Sequence, residues 1–289
     1  RSQHRRCGTG PVSGTEIALV AVATVLVGSA DFFGGLASRR SEPIAVAAWS
    51  QGIGVPAIAA VAAVVGGEWI VRDLGFGAIA GMGSAVGVSF LYLGFASSSI
   101  GGVAPTAATV AAALPIVVGI AGGERPEGIV ALGLVLGVVA IGLVGYVPGD
   151  RRNTAVGLGM GIISGVGFGV MVIAYASTDA DSGLWSAVSG RLVAACLAAL
   201  AVALLRSEWR LSADARVATG LAGGLAAFGM AAFVTVSQTA DLIVLGVALG
   251  LFPTVTVVLS ALVLRGPMRR SQWLGVACAA VAVTLISLG

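Results

Sequence analysis

From residue 13 onward the chain runs apolar for about twenty residues at a time, broken only by short charged or Gly/Pro-rich gaps. A helix crossing a hydrocarbon core of about 30 Å needs about 20 such residues at 1.5 Å each. Cutting at the gaps gives ten spans: Glu16–Ser38, Pro43–Val65, Leu74–Ala96, Gly101–Gly122, Gly128–Val147, Ala155–Ala176, Gly183–Leu205, Val217–Gln238, Leu242–Leu264 and Ser271–Leu288. None of the gaps has room for a folded domain outside the bilayer. Whatever the protein does, it does among these helices. Composition agrees: 57% of residues are hydrophobic and 10% charged, against about 45–50% and about 25% in soluble domains. The expected fold is an all-α integral membrane protein, multi-pass in the plasma or inner membrane of the cell.

Several function classes drop out. The net charge is +3, and every basic side chain is Arg. Nucleic acid binding needs a clustered basic face or stacking aromatics, and neither is present. Cys7, Cys196 and Cys278 have no paired or metal-ligand spacing, and His4 is the single histidine. The chain therefore has no metal motif and lacks the usual base of a hydrolase. It is expected to be neither an enzyme nor a cofactor protein, and without nucleotide-binding motifs it is not an ATP-driven pump. Residues 1–12, "RSQHRRCGTGPV", are expected to be a disordered or non-native tail.

The chain also repeats itself. "VAPTAATVAAALPIVVGIAGGERP" (103–126) and "VLGVALGLFPTVTVVLSALVLRGP" (244–267) align without gaps at a spacing of 141 residues. Each ends in an Arg/Gly turn and proline, then meets a Leu-Gly pair, Leu132-Gly133 and Leu274-Gly275. Trp49-Ser50 and Gly54 match Trp185-Ser186 and Gly190 at a spacing of 136. These matches favour a first five-helix repeat over 13–147, a connecting loop over 148–154 and a second repeat over 155–289. Five is odd, so the second repeat enters from the opposite side. Inverted repeats are typical of secondary transporters with a midplane site between the halves.

"GSADFFGGLASRR" (28–40), "GGERPEGIVALG" (122–133) and "LFPTVTVVLSALVLRGPMRRSQWLG" (251–275) resemble the paired repeats of EamA-type proteins of the drug/metabolite transporter superfamily. The resemblance runs from about Ser13 to the C-terminus. It implies ten helices in two repeats and export of amino acids or related metabolites.

Charges at mid-membrane depth cost at least about 2.5–3.5 kcal/mol each. Asp31 lies eight residues before Arg39, about 12 Å inside the end of helix 1. Arg191 lies eight residues after Gly183, about 12 Å inside the start of helix 7. Those ends face opposite sides, so both groups fall near the midplane. They are expected to face one cavity, as a direct pair or across bound substrate and water. The plainer readings are a snorkelling Arg191 and an Asp31 bonded within the bundle. Asp31 either carries a transported proton or serves as a fixed counter-charge.

Gln51, Ser89, Tyr92 and Tyr175 lie at similar depth and are candidate lining residues, with interhelical hydrogen bonding as the alternative. Trp49 and Trp185 occupy equivalent places and either anchor at the interface or stack on substrate. Glycines recur every four residues at 157, 161, 165 and 169, and as Gly77-Gly81 and Gly83-Gly87. Such faces let helices approach closely, for packing or for sliding. Pro105, Pro115 and Pro253 are candidate kinks or gating breaks, with Thr254 and Thr256 placed to satisfy carbonyls freed at Pro253.

Ten arginines lie in connections 1–2, 3–4, 5–6, 7–8 and 9–10, and two in the others. The positive-inside rule puts the first set in the cytoplasm and both termini outside, whereas the resemblance implies cytoplasmic termini. The expected function is a secondary transporter of small metabolites, with the lipid bilayer as its setting and a small-molecule substrate as its partner. Drug or cation efflux on Asp31, and a non-transporting membrane sensor or assembly protein, are the alternatives. The oligomeric state is open, a homodimer included.

Overall fold

The computed structural model describes residues 14–97, 100–123, 128–145, 151–263 and 270–288. Among them the chain forms ten α-helices and no strand: α1 Gly14–Ser38, α2 Pro43–Val65, α3 Val71–Ser97, α4 Ile100–Ala121, α5 Gly128–Gly145, α6 Arg151–Tyr175, α7 Trp185–Leu204, α8 Ala213–Ser237, α9 Leu242–Val263 and α10 Arg270–Leu288. Six of them, α1, α2, α3, α6, α7 and α8, are long and apolar enough to cross a bilayer. The chain is a multi-pass membrane protein. The tail 1–12 lies outside the described residues.

Where helix ends depart from the apolar runs, local chemistry explains it. α8 begins at Ala213, four residues before the apolar run, with Asp214 in the first turn, where an acid suits the helix dipole. α7 begins at Trp185 rather than Gly183, because Gly183 takes a φ of +51° that a helix cannot use. α6 starts at Arg151, inside the expected connecting loop. α4 runs through positions 105 and 115, and α9 through 253, without interruption. These prolines do not divide their helices; the side chains of Pro105 and Pro253 lie outside the described ones.

The helices do not pack in chain order. α3 packs on α6 and α7, while α8 packs on α1 and α2. α4 lies between α6 and α9, and α5 and α10 pair with each other. Glycine makes the tightest of these seams. A Cβ at Gly81 would meet the carbonyl of Gly190 on α7, and one at Gly165 would meet that of Ala107 on α4. Within α3, Gly77 and Gly81 serve the α7 seam while Gly83 and Gly87 serve α6. Hydroxyls add bonds across the seams: Ser164 Oγ donates to Gly87 O at 2.8 Å, and Thr256 Oγ1 to Gly28 O at 2.8 Å. Thr256 thus reaches α1, with Phe252 O of its own helix only at 3.5 Å.

The packing defines two ends. One, the even end, gathers the α2–α3, α6–α7 and α8–α9 connections: Gln238 Nε2 donates to Gly183 O at 2.8 Å, and Thr239 Oγ1 to Glu16 Oε1 at 3.1 Å. The odd end gathers the α1–α2 and α7–α8 connections, where Ser41 Oγ donates to Ser212 Oγ at 3.1 Å.

Candidate functional site

Eight helices, α1–α4 and α6–α9, enclose a cavity of about 760 Å³, its open mouth included. Helical spacing explains its wall. Ser84, Val88, Leu91 and Tyr92 fall on one face of α3, as do Ala104, Ala107, Ala108 and Ala111 of α4. The α4 face is all alanine, so the backbone forms the wall there and the space stays open. Tyr92 lies five residues before the end of α3 at Ser97, and Ala104 four after the start of α4 at Ile100. By the same count Met171 lies four residues before the end of α6 at Tyr175, so the lining reaches toward both ends.

Its polar side is made by Asp31, Ser50, Gln51, Ser84, Tyr92 and Arg191. Asp31 and Arg191 share this one cavity, but they are not a direct pair. Asp31 makes no ion pair or hydrogen bond among the described residues. Arg191 is only 8% exposed; one Nη donates to Gln51 Oε1, and Nη2 is buried without a partner. Gln51 Nε2 in turn donates to Ser84 Oγ at 3.0 Å. The guanidinium is held from behind, because its Nε and Cδ sit against Gly54, where no side chain competes for the space. The phenols of Tyr92 and Tyr175 are its electrostatic neighbours. Tyr92, on the same wall, lies near enough to feel both Asp31 and Arg191.

The apolar side is Phe168, Met171, Met230 and Phe252 with Val27 and Leu91. A carboxyl group, a guanidinium and a thioether-aromatic wall in one membrane-buried space can hold a small solute by its charged groups while covering its apolar part.

The other sequence-predicted residues lie elsewhere. Tyr175 is buried behind the wall, its hydroxyl against Gly190. Ser89 is off the lining face of α3; counting back from Tyr92 in steps of four reaches Val88 and Ser84 instead. Trp49 and Trp185 face the ends, not the cavity. Trp49 is 46% exposed and donates Nε1 to Trp209 O at 3.0 Å. Trp185 packs on Trp69 with ring centroids 4.7 Å apart. A signal for these partners exists in the sequence: Glu68-Trp69 and Glu208-Trp209 repeat at a spacing of 140. Pro115 is buried on α4, one turn beyond the lining stripe. No group of metal-ligating side chains occurs among the described residues.

The even end is sealed by charge and backbone. Arg72 Nη2 donates to Asp179 Oδ2 at 2.6 Å and Nε to Asp73 Oδ1 at 3.1 Å. Buried Asp73 accepts the Asp179 N–H at 2.8 Å. The chain can close this tightly because Gly67 (φ +125°) and Gly183 (φ +51°) bring the two connections into backbone contact. An L side chain at either position would be strained.

No protein-family model matches the sequence, and no curated protein does. A solved structure described only as a crystal structure of a protein is similar, with a TM-score of 0.71 over 94% of this chain and 96% of that one. At 16% identity the likeness carries the fold alone.

Proposed function

We propose that this chain is a secondary transporter of small metabolites, built as ten spans in two inverted five-helix repeats and alternating access to the central cavity. The observation that carries the reading is the cavity itself: two oppositely charged side chains, unpaired with each other, line one space inside a largely apolar helix bundle. A charge buried in a membrane protein without a structural partner marks a transport or binding path. Helix pairing supports the repeat. Exchanging each helix with the one five places on turns α3·α6 into α8·α1, α3·α7 into α8·α2 and α4·α6 into α9·α1, and all of these contacts occur. The resemblance to EamA-type proteins points the same way. The reading gives the chain no catalytic step and no cofactor.

Because α3 packs on α6 and α7, and α8 on α1 and α2, in this reading the bodies that alternate would each take helices from both halves of the sequence.

Proteoliposome flux with a panel of small metabolites tests the proposal. Saturable uptake or exchange is expected, and Arg191→Ala should lower it at least tenfold. Flux no greater than in empty liposomes would refute it. Drug or cation efflux remains a second reading because Asp31 has no partner; in that case Asp31→Asn, not Arg191→Ala, would abolish transport.

A further inference from the structure

Arg191 lacks a countercharge. Its Nη2 is buried and unbonded, Gln51 offers only a neutral carbonyl, and its electrostatic neighbours are phenols. A guanidinium does not shed its proton in proteins, and holding one out of water costs several kcal/mol unless an anion answers it. Among the described residues no carboxylate does so. We infer that Arg191 is an anion-recognition group, and that the transported solute is a small monocarboxylate with an apolar body. The inference rests on the transport reading and names the substrate class of its cavity.

Three features set that class. The first is the Ser84–Gln51–Arg191 chain of hydrogen bonds. It fixes one Nη and leaves Nη2 free for a ligand, an arrangement suited to a carboxylate. Gln51 acts as a positioning residue. The second is charge number: among the described residues Arg191 is the single basic side chain in the wall. One cation balances a monoanion, whereas a phosphate dianion would leave charge uncompensated in an apolar space. The third is the opposite wall, where Phe168, Met171, Met230 and Phe252 offer flexible and aromatic contact to an aliphatic or aryl group. Asp31 lines the same space without a hydrogen bond or ion pair among the described residues, so an ammonium on the same solute has an acceptor there.

Probe sets that share one body separate the charges: 3-phenylpropionate, phenylalanine and phenethylamine, with hexanoate, norleucine and hexylamine as the aliphatic set. Binding to purified full-length protein is read as the shift of its thermal midpoint, and flux is read in proteoliposomes. Acid-bearing probes should raise the midpoint and the amines should not. Arg191→Gln should weaken acid binding at least tenfold without lowering the midpoint of the empty protein. Arg191→Lys should restore only part of the binding. Gln51→Glu, which gives Arg191 an internal anion, should abolish acid binding while raising the empty midpoint; a merely structural Gln51 would not produce that pair of effects. The inference is overturned if amines bind as well as acids, if no acid binds at millimolar concentration, or if the Arg191→Gln protein keeps acid binding within twofold. The comparison of probes on the unaltered protein decides the matter even where a variant does not fold. Acid binding without flux would remove the transport reading and leave the anion site standing. Amine flux alone would do the reverse.

Discussion

The two ends of the bundle are built to one plan and closed by different chemistry. At the even end the α2–α3 connection meets the α6–α7 connection; at the odd end the α7–α8 connection meets α1–α2. Each end sets a tryptophan of α2 or α7 against the Glu-Trp dipeptide of the opposing connection. There the likeness stops. The even end adds Arg72, buried Asp73, Asp179 and a backbone contact between glycines. At the corresponding place the odd end has two serines, with Ser41 Oγ also accepting the Ser212 N–H at 2.8 Å. The two ends place similar elements in contact, and a few side chains set how many bonds hold each together.

Four changes would break or sharpen that contrast. Gly183→Val has the largest expected effect. It puts a β-branched residue at positive φ against the Gly66 carbonyl, at a cost of about 2–4 kcal/mol. The thermal midpoint should drop, and amide exchange across 178–184 should rise more than tenfold. Asp73→Ala comes next. It leaves the Asp179 N–H unanswered, worth about 1–3 kcal/mol, and should raise exchange at the same amides about tenfold with little change at 205–212. Equal changes at both ends would show that the two closures are not independent. Ser41→Asp with Ser212→Arg transplants an ion pair to the odd end. Flux should fall severalfold at low salt and recover as salt screens the pair; unchanged flux would mean that this contact does not gate. Trp49→Phe loses one exposed hydrogen bond, about 0.5 kcal/mol at the low end of the usual range, so its flux should stay within about threefold of the parent protein.

The helices were legible because an apolar run of bilayer length has few alternatives. Most span ends agree within three residues, and the larger misses, at α6 and α8, fall where the helix extends into polar residues such as Arg151, Asp214 and Arg216. Asp31 and Arg191 were legible for a related reason: a charge at mid-depth is costly wherever it points, so position along the helix is enough to single it out. Their lack of mutual pairing was not legible, because it depends on rotation about the helix and on where Gln51 reaches. The same limit separates Ser89 from Ser84. Trp49 and Trp185 share a place in the repeat, but only the packing shows that this place is at the ends. The Glu68-Trp69 and Glu208-Trp209 pair was a readable signal, hidden by the fact that it lies in the gaps between apolar runs.

The seams of α3 with α6 and α7 bear on how the protein is made. A ribosome delivers the glycine face of α3 about a hundred residues before the faces it fits, which at about 5–20 residues per second is an interval of about 5–20 s. During that interval Gly77, Gly81 and Gly83 face lipid or whatever insertion machinery shelters them. The first five helices alone lack the partners of α3, and the last five lack those of α8. Cutting the gene between the codons for 145 and 151 should therefore yield two fragments that are degraded when made singly and persist when made together. Assembly of this membrane protein is, in effect, a meeting of two unfinished halves.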